Sequence, residues 1–279
     1  MSRPAGLEQL EELARAFHRG EKTPTVPRDA STVVLLRDAP GGPEAYLLRR
    51  VKGMAFAGGM HVFPGGSVDV DDEQADIGWA GPPPAQWAAW FRADEPLARA
   101  LVCAAVRETF EECGVLLAGP SENELLADVS SDEWEAERVA LESREQSMSE
   151  LLARRGLVLR TDLLRPFAQW ITPEVEPKRF DTRFFLAEMP AGQVCRHVGG
   201  EADQRLWIRP ADALEQGLEL LPPTFSSLQD LSGFPDVRSA LDAERTVTLV
   251  APKLVVQPDD TVKFVVPGDV DYPTTVLRH

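Results

Sequence analysis

Apolar positions recur along this chain with two periods, one near 3.6 residues and one near 2. Leu7, Leu10, Leu13, Ala14 and Phe17 fall at helical spacing with charges between them, so residues 7–18 are predicted to form a packing helix. Pro24 and Pro27 mark a connector behind it. Residues 32–37 (T-V-V-L-L-R) and 45–50 (A-Y-L-L-R-R) are strand-like, and D-A-P-G-G-P between them is turn chemistry, which predicts a hairpin. A loop of small residues over 53–59 then leads to a short strand at 61–63 and to Pro64-Gly65-Gly66.

Residues 73–100 read as an insertion that opens acidic and passes Pro82-Pro83-Pro84, which prevents one continuous helix. Trp87, Trp90 and Phe91 predict a short helix packed back on the domain, or else the lining of a pocket for an adenine or an acyl tail. A helical run follows, with Leu97, Leu101, Val102, Ala104, Ala105 and Val106 leading into R-E-T-F-E-E-C-G-V at 107–115. Residues 121–165 form a predicted helical cap. Strands are expected at 166–171, 180–187 and 206–208, helices at 211–217 and 224–243, and a terminal hairpin pairing 246–250 with 261–266. Residues 1–28 are expected to stand as an N-terminal helix and connector before a domain spanning 29–279, whose last part, 245–279, is the hairpin. This order defines an α/β or α+β chain.

The end of the 97–113 run changes the picture from architecture to chemistry. At about 100° per residue, Glu108, Glu111 and Glu112 share one face of a single helical turn. Like charges at that spacing cost a few tenths of a kcal/mol per pair, roughly. A solvated acidic face is the bland reading; a bound cation is the sharper one, and hard divalent ions such as Mg²⁺ or Mn²⁺ take oxygen ligands of this kind. The glycine pair upstream favours the sharper reading, because a backbone without Cβ atoms can approach a metal or phosphate.

Composition narrows the field. A formal net charge of −16 argues against nucleic acid or an anionic membrane as partner, but not against an anionic small molecule held by a metal and local arginines. Cys103, Cys113 and Cys195 form no C-x-x-C pair, so neither a zinc site nor a disulfide framework is expected. No apolar run approaches the ~18 residues of a membrane span. The N-terminal leucines are broken by glutamates and the last residues are not a peroxisomal S-K-L, so a cytoplasmic location is expected. A homodimer stays open.

F-P-G-G at 63–66 followed by R-E-T-F-E-E-C-G-V resembles the Nudix box of the Nudix hydrolases, G-x5-E-x7-R-E-U-x-E-E-x-G-U with U apolar. Counting from Gly66 puts Asp72 where the pattern has glutamate, Thr109 takes an apolar position, and 73–106 is 34 residues long where the pattern has 7, so the box is split. The resemblance implies an α/β/α sandwich with a mixed sheet. It also implies that Glu111 and Glu112 bind Mg²⁺ or Mn²⁺, with Glu108 as ligand or base, the Gly65 carbonyl as a further ligand, and Arg107 orienting a glutamate, Glu111 being four residues on. Glu201, six residues before Trp207, is the implied alternative base or extra ligand, with Asp203 second.

The long split, together with A-G-G-M-H-V-F-P-G-G-S-V-D-V-D-D and R-F-D-T-R-F-F-L-A, is similar to the peroxisomal coenzyme A diphosphatases and their bacterial relatives. The implied reaction is hydrolysis of coenzyme A or acyl-CoA to 3′,5′-ADP and (acyl-)phosphopantetheine. The coenzyme A signature L-L-T-x2-R-S-x3-R-x3-G-x3-F-P-G-G is half present: Leu47, Leu48 and Gly59-x3-Phe63 match, while Val51 and Ala55 replace the Ser and the second Arg. Gly66 and the guanidinium groups of Arg49, Arg50 and Arg179 are candidate substrate-binding groups, since the fork of arginine suits phosphate. Lys52, Lys178 and Arg183 are further candidate cations. ADP-ribose, a nucleotide sugar or a nucleoside triphosphate are the alternative substrates, and a non-catalytic ligand sensor is the alternative class.

Overall fold

The computed structural model describes residues 5–54, 57–73, 77–196 and 202–273. In chain order these form α1 (Ala5–His18), β1 (Arg28–Ala39), β2 (Gly42–Arg50), β3 (His61–Val62), β4 (Gly65–Ser67), α2 (Val70–Glu73), β5 (Trp79–Ala80), α3 (Pro84–Phe91) and α4 (Glu95–Cys113). Then come β6 (Ala118–Gly119), α5 (Asp132–Glu142), α6 (Met148–Arg155), β7 (Val158–Arg160), β8 (Leu164–Ile171), β9 (Phe180–Glu188) and β10 (Ala202–Ile208). The chain continues through α7 (Pro210–Glu215), α8 (Pro222–Leu231), α9 (Val237–Asp242), β11 (Leu249–Val250), β12 (Lys253–Val256) and β13 (Val262–Val265). It divides into two compact units: Asp29–Ala168 with Arg183–Val247, and a smaller one of the residues before Asp29, Gln169–Thr182 and the residues from Thr248 on.

The larger unit carries a mixed sheet in the order β10-β2-β1-β9-β8. The β1–β2 hairpin closes at Ala39 and Gly42 as the turn residues require. Two short strands extend it: β3 pairs with β2, and β4 pairs antiparallel with β1 through Thr32–Gly65 and Ser31–Gly66. The glycine bend is therefore fastened to a central strand. A second sheet, β5-β7-β6, lies in the same unit.

Helix α4 is the spine of this unit. Asp94 caps it by accepting from the Leu97 amide at 2.8 Å, and Pro96 sits in the first turn, where its missing N–H is no loss. Ala98, Leu101, Val102, Ala104, Ala105 and Val106 are fully buried, so the helix is apolar on nearly every side until Arg107. Gly114 ends it in the left-handed conformation (φ 70°), its amide donating to the Phe110 carbonyl at 2.8 Å. The aromatic residues before it belong to the same core. Trp87 packs on Trp90, Phe91 and Phe185 at ring separations of 4.8, 6.1 and 5.5 Å. Trp87 and Phe91 are thus spent on packing, and only Trp90 is partly exposed.

The smaller unit holds α1, β11 parallel to the end of β8, and the β12–β13 hairpin, against which α1 packs. Here the expected terminal hairpin is corrected: 262–265 pairs with 253–256, not with 246–250, and the turn at 257–261 is closed by Gln257 donating to Thr261. The segment 249–250 is drawn instead to the edge of β8. In the larger unit β10 begins at Ala202, four residues earlier than the pattern suggested. Its polar start (Asp203, Gln204, Arg205) fits a strand hydrogen-bonded on β2 and half open to water. The helical run expected at 224–243 breaks at Gly233 and Pro235 into α8 and α9.

Candidate active site

The split box closes in space. Arg107, the first charged residue of α4 after its apolar turns, turns its guanidinium onto Asp72 in α2. Nε donates to Oδ1 at 3.1 Å and Nη2 to Oδ2 at 2.9 Å, while Nη2 also donates to the Ser67 carbonyl at 2.9 Å. Asp72 is 1% exposed and its Oδ2 accepts from the Asp69 amide at 2.9 Å. A buried carboxylate in low dielectric is tolerated only when paired and hydrogen-bonded, and this one is both. Its place beside Arg107, with five residues between it and Gly66, survives a 34-residue separation in sequence because α2 packs directly on α4. The expected orientation of Arg107 towards Glu111 is present as well, but as the weaker part of a wider set.

Nη1 of Arg107 donates to Glu108 Oε1 at 2.8 Å and to Glu111 Oε1 at 3.2 Å. Burial works against the guanidinium charge, but the carboxylates of Glu108, Asp72 and Glu111 outweigh it and hold the pKa above the ordinary arginine value. Glu108 is pushed up to about 7: burial is the largest cause, Arg107 opposes it, and Glu111 adds to it. Burial raises Glu111 in the same direction, again against Arg107.

The glycines do what the spacing implied. A Cβ on Gly66 would sit 2.3 Å from Glu108 Oε1, so any larger residue there would displace this carboxylate. The Gly65 amide donates to Glu112 Oε2 at 2.9 Å. Glu108 and Glu112 therefore meet the glycine bend, Glu111 is tied to Glu108 through Arg107, and the donors are carboxylate oxygens. That donor set suits a hard divalent ion and not a soft one. A carboxylate held near pH 7 by burial is the kind that a nearby cation would return to its charged form. Among the described residues no three acidic, His or Cys side chains already form a ligand cluster, since Arg107 engages Glu108 and Glu111 while Gly65 engages Glu112.

The remaining expected residues are scattered over other partners. Arg49 donates Nε to Asp203 Oδ1 at 2.7 Å, so a substrate candidate and a base candidate are joined in one surface pair. Arg50 ends β2 opposite Ala202. Arg179 lies in the smaller unit, where it donates to the carbonyls of Thr172 (3.0 Å) and Thr25 (2.6 Å) and burial lowers its pKa. Arg183 is ion-paired with Asp29 at 2.6 Å. Glu201 lies outside the described residues, as does His197. His61 is buried, with its Nδ1 3.3 Å from the Glu219 carbonyl, and burial lowers its pKa.

Two features of the site had no reading in the sequence. Arg138 of α5 donates Nη1 to the Glu111 main-chain carbonyl at 3.0 Å, and Arg144 donates to Asp69 at 3.1 Å. The spacing Glu135-x2-Arg138-x3-Glu142 was visible, but it describes any charged helix face equally well.

A carboxylate helix turn closed by a buried arginine–aspartate pair and faced by a glycine bend makes this a Nudix-type pyrophosphohydrolase, a class whose members generally use divalent metal ions. The chain belongs to the family described as the NUDT19 Nudix domain, whose model matches residues 85–231. It is 30% identical to the chicken (Gallus gallus) protein named acyl-coenzyme A diphosphatase NUDT19, over 88% of this chain and 80% of that one. The Xenopus laevis protein of the same name is 25% identical over 82% of this chain and 71% of its own. Among solved structures, a NUDIX hydrolase from Alicyclobacillus acidocaldarius is similar at 30% identity and a TM-score of 0.66, covering 80% of this chain and 99% of that one. No helix among the described residues is long and apolar enough to cross a membrane.

Proposed function

We propose that this chain is a diphosphatase of coenzyme A species, cleaving the phosphoanhydride of coenzyme A or acyl-CoA to 3′,5′-ADP and (acyl-)phosphopantetheine with Mg²⁺ or Mn²⁺. The observation that carries the reading is the Asp72–Arg107 pair, which rebuilds an uninterrupted Nudix site across the split shared in outline with the coenzyme A branch. The names of the chicken and Xenopus relatives supply the substrate class. The net charge of −16 supports a small-molecule substrate and no nucleic-acid partner.

In this reading Glu111, Glu112 and Glu108, with the Gly65 carbonyl, hold the divalent ion. When bound, such an ion supplies charge neutralisation at the phosphate oxygens and lowers the pKa of coordinated water. The chain's own residues do the rest. Arg107 fixes the carboxyl groups of Glu108 and Glu111 through one nitrogen, so neither swings freely. The Gly65 amide fixes Glu112. Glu108, kept in its charged form by such an ion, accepts the proton of an attacking water at Oε2, the oxygen not engaged by Arg107, and such general-base assistance contributes roughly 10²–10⁴-fold. Gly66, packed against that carboxylate, offers only its main chain to a phosphate. Arg49 and Arg50, at the end of the strand next to β3, are the candidate holders of the 3′-phosphate.

The test is a substrate panel. Purified protein is incubated with Mg²⁺ or Mn²⁺ and coenzyme A, acyl-CoA, ADP-ribose, a nucleotide sugar or a nucleoside triphosphate, and the products are identified by mass. Release of 3′,5′-ADP and phosphopantetheine from the coenzyme A species, at higher kcat/KM than any other turnover, is the expected outcome. Preferred cleavage of ADP-ribose or a nucleotide sugar would replace the substrate assignment and keep the chemistry.

A further inference from the structure

The 34 residues between Asp72 and Arg107 leave the two halves of the site without a short covalent tether, so their register rests on non-covalent contacts, of which the Asp72–Arg107 pair is one. We infer that α5 and the turn after it are a second brace, and that Arg138 is its positioning residue, acting on the metal-binding turn through the main chain of Glu111. The inference rests on the metal reading above.

Three observations carry it. The Arg138 side chain is 4% exposed, and its position is over-determined. Nη2 donates to Glu135 Oε1 at 2.7 Å and Nη1 to Glu142 Oε2 at 2.8 Å, so the planar fork has one orientation left, and in it Nη1 meets the Glu111 carbonyl at 3.0 Å. That carbonyl belongs to the last turn of α4, where carbonyls have no partner within the helix and a cation is favourably placed. Second, the same last turn is held again from the loop after β9. The Arg196 amide donates to the Cys113 carbonyl at 2.8 Å, and its guanidinium lies 3.2 Å from Glu135, closing a ring back to Arg138. Trp134 of α5 meets Phe110 edge-on at 6.2 Å. Third, the turn that leaves α5 reaches the other half of the box: Arg144, itself at φ 60°, donates to Asp69, whose neighbour in the pairing network is Arg107.

One short helical segment thus touches both sides of the split. Its rigid contact is on the side that carries Glu111 and Glu112, where a displacement of about 1 Å can lower a rate by about 10²-fold. The Arg144–Asp69 pair is exposed at the arginine end and contributes little by itself. The inference therefore singles out Arg138.

The experiment measures Mn²⁺ binding to the whole chain by electron paramagnetic resonance without substrate, followed by kcat and KM for a coenzyme A species. Arg138→Met keeps the apolar stem and removes the donor. It is expected to weaken Mn²⁺ binding by about 10–100-fold, as removal of outer-shell support does in metal sites, and to lower kcat while KM stays within about 3-fold. Glu142→Gln removes one of the arginine's carboxylates, keeps the contact with Glu111, and is expected to bind Mn²⁺ within about 2-fold of the parent. Where the Arg138→Met chain does not fold, Arg138→Lys carries the test, since it keeps a charge between Glu135 and Glu142 but loses the fork that reaches Glu111. Either Arg138 variant, folded and binding Mn²⁺ as tightly as the parent, would overturn the brace while leaving the metal site standing. A parent chain that binds no Mn²⁺ would overturn the metal reading and the brace with it.

Discussion

The two ends of α4 answer different demands. From Ala98 to Val106 the helix is buried aliphatic surface broken only by Arg99, which lies over the Trp79 ring; from Arg107 to Glu112 it carries four charges, and all four remain at least partly shielded. The first part gains from burial, at about 1.5–3 kcal/mol for a large aliphatic side chain. The second part gathers three carboxylates; burial penalises Glu108 and Glu111, Arg107 offsets that penalty, and the Gly65 amide engages Glu112. An apolar anchor thus holds in place a charged turn that would not gather on its own. Function and stability should therefore separate along one helix.

The largest expected effect is on activity at the charged end. Glu112→Gln should lower kcat by on the order of 10³-fold or more, because a neutral amide cannot replace a charged oxygen ligand. Its amide oxygen can still accept from Gly65, so the thermal transition should stay near the parent's. Glu111→Gln should be severe but less complete. Full turnover by both variants in the coenzyme A assay would remove the metal site from this turn.

Next is Arg107→Met, the one change that should damage both properties. It leaves Asp72 buried and uncompensated, and breaking a buried pair from one side costs about 3–5 kcal/mol. Urea unfolding measures it. Adding Asp72→Asn should return part of the stability and none of the activity, since Glu108 and Glu111 would still lack their shared donor. Equal recovery of both would mean that Arg107 only packs.

How much of this contrast was legible in the chain follows from where each signal lives. The carboxylate turn, its glycine stop and the F-P-G-G bend are local patterns, fixed by 3.6-residue geometry, and they meet in space as spacing implied. The hairpin of β1 and β2 was equally local, with turn residues at its centre. Asp72 was visible only as the sixth residue after Gly66; its bond to Arg107 is a long-range contact that no periodicity announces. Arg138 was unreadable because buried and solvated arginines share the same i, i+3 and i, i+4 neighbours. The partner of 261–266 was misjudged for a related reason: short β-rich segments near the end of a chain fit several registers, and the edge of β8 competes for one of them. The aromatic set at 87–91 admitted both core and pocket, and packing against Phe185, almost 100 residues away, decides for the core.

At the apolar end, Leu101→Ala should cost about 2–5 kcal/mol, the range for a fully buried leucine whose site only partly collapses. Activity per folded molecule at low temperature should change little, because the charged turn is also held by Gly65, Asp72 and α5. If Leu101→Ala and Glu112→Gln lowered kcat alike with no difference in unfolding midpoint, the proposed division of labour along α4 would be wrong.

The smallest effect, about 1–3 kcal/mol, is a pH dependence of stability in the metal-free protein. Glu108 has a folded-state pKa pushed up to about 7, against an ordinary value of 4.5. Between those two values the folded state holds a proton that the unfolded state has released, so stability falls as pH rises from about 4.5 to 7 and levels off above. Glu111 acts in the same direction. Buried His61 opposes them: its pKa is lowered, so the unfolded chain takes up protons below the ordinary histidine value and stability rises with pH there. Asp203 and Glu135, lowered by their arginines, complete their contribution at more acidic pH. The informative quantity is therefore the difference between the parent and Glu108→Gln, each with chelator and measured by thermal unfolding across pH 4.5–7.5. The variant should lose the downward slope and keep the shallow rise from His61. Parallel curves would mean that Glu108 is not strained by burial, and the charged end of α4 would then need no cation to relieve it.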